Sequence, residues 1–122
     1  MTVRVLAIDD SRTIRDLVRI TVEGAGMDVT LAEDGVDGVA AVQGDRFDAV
    51  ITDINMPRMD GFGVIEAIRA GVKNRRVPIL VLTTESGAEM KRRARDKGAT
   101  GWIVKPFDDR ALVGVVRRVT GG

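Results

Sequence analysis

Phe47-Asp48-Ala49-Val50-Ile51-Thr52-Asp53-Ile54-Asn55-Met56-Pro57-Arg58-Met59-Asp60-Gly61-Phe62-Gly63 is the stretch on which the reading of this chain turns. Its first half is apolar with a β-branched bias, the composition of a short buried strand. The run stops at Asp53, and Pro57 and Gly61 then turn the chain. A carboxylate at the end of a buried strand is costly unless something pairs with it. The rest of the sequence is read for those partners.

Working outward, the patterning predicts further strands over 3–8, 28–32, 77–82 and 100–104. Pro78 is compatible with the fourth of the five only at the strand's start. A helix lies between each pair of strands and another closes the chain. Ser11 is placed to cap the first. Ile14, Leu17, Val18, Thr21, Val22 and Ala25 supply its apolar face, and Gly24 and Gly26 its stop. Asp34-Gly35 turns into a short second helix marked by Val36, Val39, Ala40 and Val42. Phe62, Ile65 and Ile68 mark a third, ending near Gly71. The fourth, over 86–97, is polar, with Ala88, Met90 and Ala94 as its few apolar anchors. Leu112, Val115, Val116 and Val119 line one face of the last.

At 122 residues the chain is long enough for one domain, 1–122. The net charge of +1 gives no bulk argument for nucleic acid. With no Cys there is no disulfide framework or thiolate metal site, and with no His there is no imidazole base or ligand. No apolar run reaches membrane-spanning length, and the N-terminus lacks a cleavable signal pattern. A cytoplasmic protein without membrane association is the expectation. The sequence ends at Gly121-Gly122 without an effector domain, so output by protein–protein contact is expected, from a monomer.

Five alternations of strand and helix imply a parallel sheet with right-handed crossovers. Apolar strands with little alternation imply cover on both faces, hence a doubly wound α/β sandwich. Ligands of such folds sit beyond the carboxyl ends of the strands. There the first strand brings Asp9 and Asp10, the third Asp53, the fourth Thr83 and the fifth Lys105. If the first and third strands are neighbours, their carboxylates lie within one or two strand spacings, about 5–10 Å. Like charges about 4 Å apart repel by about 4 kcal/mol at an effective dielectric near 20. A cation, a shared proton or Lys105 must therefore sit among them. An all-oxygen donor set suits a hard divalent ion, Mg²⁺ above all.

Asp9-Asp10, Asp53 within Asp-Ile-Asn-Met-Pro-Arg-Met-Asp-Gly, Thr83 and Lys105-Pro106 together resemble the signature of two-component receiver domains, over essentially the whole chain. The stretch from Thr83 to Phe107 is most similar to stand-alone, chemotaxis-type (CheY-like) receivers. The strand order 2-1-3-4-5 of the flavodoxin/CheY-like fold is implied by that resemblance and not by the patterning. The resemblance also implies the roles. Asp53 would accept a phosphoryl group from a histidine kinase. Asp10, Asp53 and the backbone carbonyl of Asn55 would ligate Mg²⁺ (Mn²⁺ being a possible substitute), with Asp9 acting through a water. Lys105 and Thr83 would meet phosphoryl oxygens, and Thr83 with Trp102 would form the switch. Asn55 and Glu85 would set the rate of dephosphorylation, giving a short-lived phosphoryl group lost by spontaneous hydrolysis. The Lys105–Pro106 bond would be cis. The downstream partner would be a flagellar motor switch or another signalling protein. Such a protein is not an enzyme beyond its own phosphotransfer and autodephosphorylation.

Taken singly, each residue has a plainer reading: Asp9 and Asp10 as caps, Thr83 as a strand end, Lys105 as a solvated turn, Trp102 as core. Their convergence carries the argument. A phosphorelay intermediate or phosphate sink uses the same residues. A Mg²⁺-dependent phosphatase of the haloacid-dehalogenase kind fits less well, because it wants a second Asp at Asn55 and a cap element. Lys91, Arg92, Arg93, Arg95 and Lys97 make the fourth helix basic, with Arg110, Arg117 and Arg118 in the last. They form either a solvated face or a docking surface for an acidic partner.

Overall fold

The computed structural model describes residues 2–121; Met1 and Gly122, the ends of the expected 1–122 domain, lie outside the described residues. The elements alternate as β1 (Arg4–Ile8), α1 (Arg12–Gly24), β2 (Asp28–Ala32), α2 (Gly35–Gly44), β3 (Ala49–Thr52), α3 (Gly61–Ala70), β4 (Ile79–Thr83), α4 (Ala88–Lys97), β5 (Gly101–Val104) and α5 (Asp109–Thr120). The strands form one parallel sheet in the order β2-β1-β3-β4-β5.

Successive strand side chains point to opposite faces. Leu6, Ile8, Val50, Ile79 and Val81 therefore build one core with Phe62, Ile65 and Ile68 of α3. Val5, Ala7, Ala49, Ile51, Leu80 and Leu82 build the other with α1 and α5. Both faces of the three central strands are covered, which is why β1, β3 and β4 read as unbroken apolar runs. The edge strands β2 and β5 are only partly buried.

Polar side chains set the helix starts. The Ser11 hydroxyl accepts from the Ile14 N–H, and Asp34, Asp60 and Asp108 cap α2, α3 and α5. Phe47 precedes the third strand: its N–H donates to Asn74 Oδ1 rather than into the sheet. Pro78 likewise precedes β4, its carbonyl accepting from the Val50 N–H. The fourth helix starts at Ala88, after a Gly87 that offers no side-chain cap.

Two helix faces differ from expectation. Leu17 is 47% exposed rather than part of the α1 seam, because it lies about 100° round the helix from Val18. In α2, Val36 and Ala40 face outward, while Gly35, Gly38 and Val42 are buried. A Cβ on Gly38 would overlap the Ile8 side chain. The helix lies close enough to β1 that two of its buried positions are glycines, which an apolar count overlooks.

Candidate functional site

The parallel register brings the ends of β1 and β3 side by side. Ile8 is level with Thr52, and the Asp53 N–H donates to the Ile8 carbonyl at 3.0 Å. Asp9 and Asp53 follow directly and are buried, at 5% and 8% exposure. Asp10 is exposed beside them, and one carboxylate oxygen from each of the three lies within 4.8 Å of the others. Lys105, just past β5, reaches across β4. Its ammonium donates to Asp9 Oδ2 at 2.7 Å and to Asp53 Oδ2 at 3.0 Å. The Lys105–Pro106 peptide is cis.

Each carboxylate has a second anchor. Asp9 Oδ1 accepts from the Ser11 N–H at 2.9 Å, and Asp53 Oδ1 from the Ile54 N–H at 2.7 Å. Burial pushes the Asp9 carboxyl above the ordinary aspartate range, against the opposing pull of Lys105 and the Ser11 N–H. Burial lowers the Lys105 ammonium, but its hydrogen bonds to Asp9 and Asp53 outweigh this and leave it above the ordinary lysine value. The lysine is thus held as a cation between acids whose repulsion it offsets. Gly61 closes the loop after Asp53: its N–H donates to the Ile54 carbonyl at 2.8 Å, and a Cβ there would overlap the Asp53 carbonyl oxygen.

The remaining candidates form a second group around Glu85. Thr83 is fully buried at the end of β4, and its hydroxyl accepts from the Glu85 N–H at 3.4 Å. The Glu85 carboxylate accepts from Asn55 Nδ2 at 3.2 Å. The Glu85 carbonyl accepts from the Trp102 indole N–H at 2.9 Å. Thr83 joins the first group through its backbone, its carbonyl accepting from the Lys105 N–H at 2.8 Å. Hence Asp9, Asp53 and Lys105 touch directly, Asp10 shares their rim, and Asn55, Glu85, Thr83 and Trp102 are linked to one another.

Trp102 also lines a groove of about 450 Å³ with Ala88, Lys91, Arg92, Arg95 and Thr100. The basic residues of α4 divide here. Arg93 lies over the Phe62 ring, 3.9 Å from its centroid, and Lys97 pairs with Glu66 of α3. Lys91 and Arg95 line the groove; Arg92 does so too, while paired with Glu89. Sequence reasoning missed Arg58, whose guanidinium binds Asp34 across two loops, and Arg15, which donates to the Asp9 carbonyl at 2.7 Å. The Arg58 contact carries no local signal, since it depends on which loops the sheet order brings together, whereas Arg15 reaches back only six residues within the β1–α1 connection.

The acids and the lysine thus stand at the carboxyl edge of a doubly wound sheet, the edge at which proteins of this fold class bind their ligands. The response regulator receiver domain family matches residues 5–117, and the chain belongs to that family. Among solved structures, the chemotaxis protein CheY4 of Vibrio cholerae is 44% identical, with a TM-score of 0.93, covering 98% of this chain and 99% of that one. The receiver domain of the sensor histidine kinase PA1611 from Pseudomonas aeruginosa is 27% identical, with a TM-score of 0.92 over the full length of both; its structure has a magnesium ion coordinated in the active-site cleft. Among curated relatives, the regulator RpaA of Synechocystis is 37% identical over 114 residues, 93% of this chain and 47% of its own length. Response regulator MprA of Mycobacterium bovis is 36% identical over 117 residues, 96% of this chain and 50% of its own. The chain spans about half the length of these curated relatives. No helix among the described residues is long and apolar enough to cross a membrane.

Proposed function

We propose that Asp53 accepts a phosphoryl group from a histidine kinase in a Mg²⁺-dependent reaction, and that this switches a protein-binding face made by α4, β5 and α5. The observation that carries the reading is the buried Asp9–Lys105–Asp53 contact at 2.7 and 3.0 Å beside Asp10. The donor set is all oxygen, which suits a hard divalent cation. Asp10, Asp53 and the Asn55 carbonyl would hold it, with Asp9 through a water; once bound, the ion offsets charge on the transferring group.

A carboxylate oxygen of Asp53 attacks phosphorus, the P–N bond of the donor phosphohistidine breaks, and the leaving imidazole takes up a proton. Lys105 already lies against Asp53 Oδ2 and is placed to move onto a phosphoryl oxygen, with the Thr83 hydroxyl following. That hydroxyl now engages Glu85, whose carbonyl holds Trp102. A shift of Thr83 therefore reaches the α4–β5 groove through two hydrogen bonds. Lys91, Arg92 and Arg95 give that groove a positive rim suited to an acidic protein segment. The chemistry is self-catalysed transfer and hydrolysis on Asp53, not turnover of a free substrate, in a cytoplasmic monomer. The similarity to CheY4 across nearly the whole of both chains supports a pathway of the chemotaxis type, with a motor switch as output partner.

Intact-mass spectrometry after incubation with a small acyl phosphate tests this. Wild-type protein should gain one phosphoryl group with Mg²⁺ and none without it, and Asp53→Asn should gain none. Incorporation that ignores Mg²⁺ or survives Asp53→Asn would overturn the assignment.

A further inference from the structure

The loop from Asp53 to Gly61 is held by backbone contacts at both ends, as described above. Its tip is held differently. Arg58 has φ +66°, and among the described residues no other non-glycine has a positive φ. Across it the Met59 N–H donates to the Pro57 carbonyl at 2.7 Å, closing a γ-turn. The γ-turn of positive φ is rare and strained. Such a conformation persists where its surroundings over-determine it, and strain of this kind gathers at functional sites.

The surroundings are identifiable. Arg58 donates from Nε at 2.8 Å and from Nη2 at 2.6 Å to Asp34 Oδ2, and from Nη2 at 3.3 Å to Asp37 Oδ1. Asp34 is buried, and its other oxygen caps α2 by accepting the Asp37 N–H at 2.9 Å. Gly35, next in sequence, lies directly under the loop: a Cβ there would overlap the Met59 carbonyl oxygen and side chain. The first turn of α2 thus receives the loop tip by an ion pair and by backbone contact. α2 itself is seated on β1 through Gly38.

We propose that Arg58 is a positioning residue: its pair with Asp34 fixes the β3–α3 loop against α2, so that the Asp53 carboxylate and the Asn55 carbonyl are preformed as a cation site. The side-chain partners of Arg58 are Asp34 and Asp37, not Asp9, Asp10 or Asp53. The inference rests on the reading of Asp53 and Asn55 given above. A preformed site avoids the cost of ordering a loop at the moment of binding. The pair should therefore show itself in cation affinity rather than in the transfer step.

The test uses the full chain, titrated calorimetrically with Mg²⁺ alone, with thermal unfolding and amide exchange of residues 54–60 in metal-free protein as parallel readouts. Arg58→Ala removes the pair and keeps the strain. Arg58→Gly removes both, so it should be at least as stable as Arg58→Ala. Asp34→Asn removes the charge while keeping a capping side chain. Each should weaken Mg²⁺ binding by about 10-fold, the low end for groups that orient metal ligands, and Arg58→Ala with Asp34→Asn should be no weaker than either alone. Arg58→Gly should exchange faster over 54–60. Phosphorylation by an acyl phosphate should slow at subsaturating Mg²⁺ and recover at saturation. Affinities equal to wild type, affinities that follow stability across the variants, or additive losses would each overturn the clamp while leaving Asp53 as acceptor. Wild-type protein that neither binds Mg²⁺ nor takes up phosphate would overturn both.

Discussion

Lys105 shows how one side chain makes the acid cluster tolerable. It is 10% exposed and contacts two buried carboxylates. Removing one member of a buried ion pair typically costs about 3–5 kcal/mol, because the remaining charge is left uncompensated. Lys105→Ala should lose stability on that scale in metal-free buffer. Mg²⁺ should then recover more stability in the variant than in wild type, since it supplies the missing positive charge. Urea unfolding with and without the ion checks this, and equal Mg²⁺ responses would argue against repulsion among the acids. Asp34 gives a pH dependence of known sign. The Asp37 N–H, and then Arg58, hold its carboxyl below the ordinary aspartate value. A depressed folded-state pKa gives stability that is present above the unfolded value, near 3.9, and lost as pH falls through the lower folded value. Asp34→Asn should flatten the acid limb of the unfolding midpoint against pH. An unchanged limb would show that folding does not depress the Asp34 carboxyl.

Among the elements, α4 stands apart because it buries one residue, Ala94. It is held to α3 by Arg93 over Phe62 and by the Lys97–Glu66 pair, and Arg69 of α3 donates to the Gly98 carbonyl at its end. The screening length falls to about 3 Å at 1 M salt, so the exposed pair should weaken there. Amide exchange in α4 should be faster than in α3 and should accelerate with salt, more so than in α3. Protection equal to that of α3 would contradict a weakly seated helix. The polar sequence of α4 announced this seating, just as the unbroken apolar runs of β1, β3 and β4 announced central strands. Asp9 and Asp53 were legible for the same reason, since each follows such a run, and Lys105 because it closes the short edge strand β5. What was not legible depends on contacts distant in sequence. Arg58 and Asp34 are 24 residues apart, and nothing local links them. Gly35 and Gly38 of α2 carry no apolar side chain, so of the four apolar residues that mark that helix only Val39 and Val42 turn inward, and the glycines of its buried face escape notice. Leu17 was drawn into the α1 seam by spacing, although the seam centred on Val18 and Val22 is too narrow to include it.

Across the whole molecule, the strand order places β1 and β3 at the centre, so the acids converge at one edge while Trp102 faces the α4 groove on β5. The two are joined through Lys105, Thr83 and Glu85. Trp102, the one tryptophan of the chain, is a built-in reporter. Its emission should change on adding an acyl phosphate with Mg²⁺ and stay constant in Asp53→Asn. A response in that variant would uncouple the groove from the acid edge. On the proposed reading, Asp9, Asp10 and Asp53 are gathered at this edge to share a divalent cation. Anomalous diffraction from crystals grown with Mn²⁺ tests it most directly. A peak bounded by Asp10, Asp53 and the Asn55 carbonyl is the expected result; no peak there at saturating Mn²⁺, or acids turned away from one another, would contradict it.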